Sequence, residues 1–257
     1  MTSNAPQRKG FIHQGAFRYS AVELLAVLAL LFLSAPFIED LPNGDLIEAV
    51  LMTGVMVSSV LAVGGRRQTL LIALLLLMPA FAGRWLSHFF PGVLFSLLYP
   101  IAALFFFIFV ISNLILFILR APQVDANVLC AGLSGYLLLG LLWVPAYVMV
   151  AQLNPGAFNI SSGPGARATM NGFNSFYFSF ITLCTVGYGD ITPASRGARM
   201  LAVMEAIAGL FYVAVFISRL VAVYSAKSTA DTTGDSPAAS EQSKSDFHHP
   251  SETRNRD

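Results

Sequence analysis

Long apolar runs separated by short polar segments dominate this chain. Crossing the hydrocarbon core of a bilayer as a helix takes about 20 mostly apolar residues. Six runs approach or exceed that length: Ala21–Ile38, Leu46–Val63, Thr69–Leu86, Val93–Leu119, Val128–Gln152 and Ala198–Tyr224. A further run, Phe173–Cys184, is apolar but too short to cross, which predicts a re-entrant half-helix. Pro145 predicts a kink in the fifth crossing. Pro100 predicts either a kink in the fourth crossing or its true start.

Loop charge orients these crossings. The first loop is acidic, with Glu39, Asp40 and Asp45, whereas the second carries Arg66 and Arg67 and the loop after the fourth crossing carries Arg120. Basic residues favour the cytoplasmic side, and an even number of crossings then puts both termini in the cytoplasm. The loop between Leu153 and Gly172 falls outside; Arg84 and His88, near an outer end, run against the pattern. The N-terminal stretch with Arg8, Lys9 and Arg18 is too polar and too long to read as a cleaved signal peptide. From Ala226 to Asp257 the chain turns polar, and it is predicted to be disordered and too short for a ligand-binding domain.

Composition agrees with a membrane protein. The chain is 56% hydrophobic and 11% charged, against about 25% charged in soluble domains. With a net charge of +1 and no basic stripe, no nucleic-acid partner is predicted. Cys130 and Cys184 lie in apolar runs and read as buried free thiols. No nucleophile–base pair, metal-ligand spacing or phosphate loop is present, so neither an enzyme nor a resident cofactor is predicted. His248-His249 is too small a cluster for a metal. Asn159-Ile160-Ser161 is a sequon on the predicted outer side, meaningful only after passage through a eukaryotic secretory route.

The chemistry concentrates in Thr185-Val186-Gly187-Tyr188-Gly189-Asp190, between the short apolar run and the last crossing. Gly187 and Gly189 accept positive φ, so successive carbonyls can point to one side of an extended loop. Four copies of such a loop around an axis can replace the water shell of a potassium ion with backbone oxygens. The stretch from Phe173 to Pro193 closely resembles the pore loop of potassium channels. That resemblance covers roughly residues 126–225, in the order outer helix, pore helix, filter, inner helix; the first four crossings match six-crossing members only in number and order.

The resemblance implies that the carbonyls of Thr185, Val186, Gly187 and Tyr188, with the Thr185 hydroxyl, line four K⁺ sites. It implies support from Gly189 and Asp190, and from an aromatic cuff of Tyr177 and Phe178 around Tyr188. Asp190 would bond to Tyr177 or stand solvated at the outer mouth. Two positions depart from relatives: Ile181 stands where some have glutamate, and Cys184 where many have threonine. Gly209 lies 20 residues beyond Gly189, matching the inner-helix glycine at which many of these channels bend. It is either that hinge or a packing glycine against Gly135 and Gly140 of the fifth crossing.

Glu205 is an ionisable group inside a crossing and needs a partner or a cavity. Arg199, an anchoring role behind the filter, and a neutral carboxyl bonded to backbone are the alternatives. Arg219 is expected to reach cytoplasmic water or lipid phosphate, and Glu23 and Glu48 to snorkel at crossing ends. Val93–Leu119 contains no Arg or Lys, so no conventional voltage sensor is predicted.

The expected fold is an all-α integral membrane protein of six transmembrane helices with a re-entrant pore helix and filter loop, assembled as a homotetramer in the lipid bilayer of a cell membrane. Its parts are a cytoplasmic segment (1–20), a four-helix domain without gating charges (21–121), a pore domain (122–225) and a cytoplasmic tail (226–257). The expected function is passive, potassium-selective conduction. A less selective monovalent cation channel and the membrane subunit of a potassium uptake transporter are the alternatives.

Overall fold

A computed structural model describes residues 21–38, 44–63, 67–89, 93–161, 169–170 and 172–234. The helices are α1 (Ala21–Ile38), α2 (Gly44–Val63), α3 (Arg67–Phe89), α4 (Val93–Arg120), α5 (Ala126–Leu153), α6 (Gly172–Leu183) and α7 (Arg196–Gly234). The N-terminal segment, the acidic residues Glu39 and Asp40, Arg66 and the His248-His249 pair lie outside the described residues.

Among the described residues, five helices are long and apolar enough to span a bilayer: α1, α2, α4, α5 and α7. This is a multi-pass membrane protein. The helix α3, expected as the third crossing, runs over Arg67–Phe89, and its 23 residues are about 34 Å long at helical rise. Pro100 sits inside α4 and not at its start, and α5 likewise continues through Pro145. The last helix also outruns its predicted end near Tyr224, extending into the tail as far as Gly234.

A small sheet qualifies the all-α expectation. Strands β1 (Phe158–Ile160) and β2 (Ile191–Pro193) pair antiparallel, with Phe158 opposite Pro193 and Ile160 opposite Ile191. Three-residue strands carry too little periodic signal to be seen in a sequence. Asn159 is therefore an exposed strand residue beside the motif's exit. The pairing is reinforced where Ser161 N donates to the Asp190 carbonyl at 2.8 Å and Ala194 N to the Ala157 carbonyl at 2.8 Å.

Packing centres on α5, which touches α1, α4, α6 and α7. Asp125 caps its start, accepting from Val128 N at 2.8 Å and satisfying one of the orphan amides of the first turn. Three glycines let neighbours approach the α5 backbone. A Cβ at Gly132 would collide with the Phe216 ring, one at Gly135 with the Tyr212 hydroxyl, and one at Gly140 with the Phe180 ring. Tyr212 is pinned there because its hydroxyl donates to the Gly132 carbonyl at 2.7 Å.

At the far end Arg219 donates to the Ala121 carbonyl at 2.8 Å, tying α7 to the α4–α5 connection. It was expected at cytoplasmic water or lipid phosphate. The chain supplies an unpaired carbonyl just past the end of α4, and a guanidinium prefers such an acceptor within reach.

Gly135→Leu is expected to destabilise the protein by about 1–3 kcal/mol, because the pinned Tyr212 cannot yield. Gly54→Ala, where an added Cβ meets nothing within 4 Å, should be neutral or stabilising. Thermal unfolding in detergent, followed by tryptophan fluorescence, checks the pair.

Candidate functional site

The hexapeptide begins where α6 ends. The short helix has only 12 residues, about 18 Å at helical rise, so it does not span a bilayer. Its start lies beneath α2: Gly172 has φ +48, and a side chain there would come within 3.0 Å of the Glu48 carboxylate. Glu48 therefore stands at a helix N-terminus, where negative charge is favoured, and not in the snorkelling position expected for it. Phe32 of α1 meets the rings of Phe176 and Phe180 at 4.8 and 4.6 Å, so the first helix also grips α6.

Beyond Leu183 the backbone alternates in hand. Thr185, Gly187 and Gly189 have φ of 58°, 55° and 86°, whereas Val186 and Tyr188 do not adopt positive φ. Alternation of this kind turns successive amides to one side, a concavity that closes on a single oxygen. Here that oxygen is the Ile181 carbonyl, which accepts from Val186 N at 2.8 Å and Gly187 N at 3.2 Å. The carbonyls of Thr185, Val186, Gly187 and Tyr188 accept no hydrogen bond among the described residues. They form a run of acceptors free to meet something else.

Thr185 is the residue whose geometry sequence reasoning missed. Left-handed backbone costs an L-residue about 1–2 kcal/mol, and β-branching makes it rarer still. The only hint was the spacing of Gly187 and Gly189, which extends back by two to Thr185.

Polar and aromatic side chains gather where the hexapeptide ends. The Tyr177 phenol lies near the Asp190 carboxylate, and its ring stacks on Phe173 at 6.1 Å. Phe178 does not join a cuff around Tyr188. It is buried behind α6, with Tyr147 at 4.9 Å and Phe158 at 5.5 Å. Tyr177 and Phe178 are neighbours on a helix, about 100° apart, so they cannot share one face. Val186 and Tyr188 are themselves 50% and 74% exposed in the single chain, leaving their apolar surface uncovered by the chain that carries them.

Three more residues complete the surroundings. Gly209 of α7 lies against Leu183, where a Cβ would come within 2.8 Å of the carbonyl oxygen. It packs on the end of α6, not on Gly135 or Gly140. Cys184 is exposed beneath the hexapeptide, 3.5 Å from the Tyr136 hydroxyl, and Cys130 is half-buried, so neither is the fully buried thiol expected.

Glu205 is fully buried. Its carboxyl hydrogen-bonds to the Tyr147 hydroxyl of α5 and approaches the Ser179 hydroxyl of α6 at 2.5 Å. Arg199, the cation considered for it, instead donates through Nε to the Pro193 carbonyl at 3.2 Å.

This region is also where the chain resembles known proteins. Residues 135–226 match the family model described as an ion channel. Over that segment the chain is similar to the ion channel family. It is 34% identical over 89 residues to the Two pore potassium channel c of Oryza sativa subsp. japonica, a match covering 35% of this chain and 17% of that protein. Against the Voltage-gated potassium channel Kch of Escherichia coli (strain K12) it is 37% identical over 71 residues, 27% of this chain and 16% of the relative. Protein LctB of Geobacillus stearothermophilus is 44% identical over 61 residues, 24% of this chain and 44% of its own length. The chain thus spans only about a sixth to a quarter of the two-pore rice relatives it matches. No solved structure matches it. The family is one of channels and not of enzymes, and the matched segment contains α6, the hexapeptide and the whole spanning part of α7.

Tyr177→Phe removes the phenol hydroxyl beside Asp190 and should cost about 0.5–1.5 kcal/mol locally. Amide exchange at Val186 and Gly187, measured by mass spectrometry, is expected to quicken about threefold to tenfold, with the transmembrane helices unaffected.

Proposed function

We propose that four copies of this chain assemble around an axis and conduct K⁺ selectively and passively through carbonyls of Thr185, Val186, Gly187 and Tyr188. The observation that carries this reading is the alternation of backbone hand at 185, 187 and 189, which leaves four successive carbonyls without protein partners. Oxygen dipoles at close spacing suit a dehydrated alkali cation, and neighbouring sites let ions push one another through. The potassium channel names of several relatives support the choice of ion.

The tetramer follows from incompleteness. A single loop supplies only one side of an oxygen cage, and a cyclic homotetramer is the simplest closure. The exposed Val186 and Tyr188 would gain cover from adjoining copies, and so would α7. Only 11% of the α7 membrane window is buried within the chain, against 56% for α5. In this reading α6 enters and leaves on one face, the tight Gly209–Leu183 contact holds inner helix to pore helix, and Asp190 with Tyr177 braces the outer mouth. Six crossings, α3 among them, would place both termini in the cytoplasm and the β1–β2 sheet outside. No resident cofactor is needed.

Gating by a conventional voltage sensor is not part of this proposal. Steep voltage dependence moves several elementary charges through the field, and α4 carries its single basic residue, Arg120, at its very end.

Purified protein in liposomes should take up ⁸⁶Rb⁺ in a barium-sensitive manner, with Na⁺ uptake at least about 100-fold slower, as a dehydrating filter requires. Equal Na⁺ and K⁺ permeation in bi-ionic recordings would instead identify a less selective cation channel. Gly187→Val should abolish uptake and leave the oligomer intact by size-exclusion chromatography. In planar bilayers, conductance is expected to lack steep dependence on voltage between −100 and +100 mV, roughly the range over which S4-type charges act.

A further inference from the structure

Behind the filter, three elements meet at one buried polar knot. Glu205 of α7 reaches Tyr147 of α5 with Oε2 and Ser179 of α6 with Oε1, the latter at 2.5 Å. The same Ser179 Oγ stands 2.7 Å from the Gly140 carbonyl oxygen of α5. Ser179 and Glu205 are both fully buried. Two basic residues of α7 are occupied elsewhere: Arg199 on Pro193 and Arg219 on Ala121.

Counting protons decides how these contacts are filled. There are three short oxygen–oxygen contacts, and each needs one hydrogen. Tyr147 and Ser179 bring one hydroxyl hydrogen apiece, and a backbone carbonyl brings none. If Glu205 were ionised it would bring none either. One contact would then set two lone pairs against each other, with an unpaired charge buried beside them. With a carboxyl proton on Oε1 every contact is filled. Glu205 donates to Ser179, Ser179 donates to Gly140, and Tyr147 donates to Oε2.

We propose that Glu205 is held as a neutral carboxylic acid whose proton completes a hydrogen-bonded chain joining inner helix, pore helix and outer helix, so that it acts as a positioning residue for the filter. Ser179 lies two residues before Ile181, the residue whose carbonyl gathers the filter amides. A chain that fixes Ser179 therefore fixes the acceptor on which the alternating backbone closes. The proposal rests on the conduction reading only for its consequence; the protonation state itself does not depend on it.

The test uses the full chain in liposomes at neutral pH. Infrared spectra of the parent protein should contain a carbonyl stretch from a protonated, buried carboxyl that is missing from Glu205→Gln. Glutamine keeps one donor and one acceptor in the same places, whereas alanine leaves Ser179 and Tyr147 unsatisfied. ⁸⁶Rb⁺ uptake by Glu205→Gln is therefore expected within about threefold of the parent, and that of Glu205→Ala lower by about tenfold or more. Absence of the band in the parent overturns the proposal. So does loss of uptake in Glu205→Gln to the alanine level while that variant still assembles. Should Glu205→Ala not fold, the band and the glutamine variant decide the matter. A parent that shows the band but conducts nothing refutes the conduction reading and leaves the neutral carboxyl standing.

Discussion

One carbonyl oxygen, that of Ile181, organises the functional part of this protein. It receives the amides of both Val186 and Gly187, and that double capture is compatible only with a loop whose residues alternate in hand. Once the amides are committed to α6, the carbonyls on the other side have no partner among the described residues. In a soluble loop water would satisfy them. In a membrane protein they must meet water in a cavity, or an ion, because an unsatisfied polar group in hydrocarbon costs several kcal/mol.

A loop with unpaired carbonyls and a strained threonine holds its shape only if its surroundings over-determine it. Here they do so from several directions. Phe32 and Glu48 bring α1 and α2 onto the near end of α6, and Gly209 lets α7 close on its far end at Leu183. The Tyr147–Phe158–Phe178 cluster fills the space behind. The β1–β2 pairing closes the exit, with Ser161 bonded to the Asp190 carbonyl. The first two helices thus touch α6 directly, a physical route by which they can act on the hexapeptide without carrying gating charge.

What was legible in the sequence followed from length, from glycine and from the identity of one hexapeptide. Apolar runs located α1, α2, α4, α5 and α7 because a helix in lipid satisfies its own backbone and needs little from its neighbours. The two filter glycines marked left-handed backbone because only glycine adopts it without strain. Phe178 misled, because helix phase and not motif membership decides which face an aromatic ring occupies. Glu48 and Arg219 misled in another way. Each was judged by its depth in a crossing, and each found its contact across the fold, on Gly172 or Ala121.

By itself, then, the chain's sequence determined that this is a multi-pass membrane protein with a carbonyl-rich loop between a half-helix and a long apolar helix. Those properties are local: they depend on hydrophobic length and on which residues tolerate positive φ. Only the tertiary structure decided that Thr185 joins the alternation, that Gly209 meets Leu183, and that Glu205 reaches Tyr147 and Ser179. Those facts depend on how helices far apart in sequence are rotated and stacked. A rotation of one helix by a single residue, about 100°, would have sent Glu205 somewhere else with no change in any pattern visible along the chain.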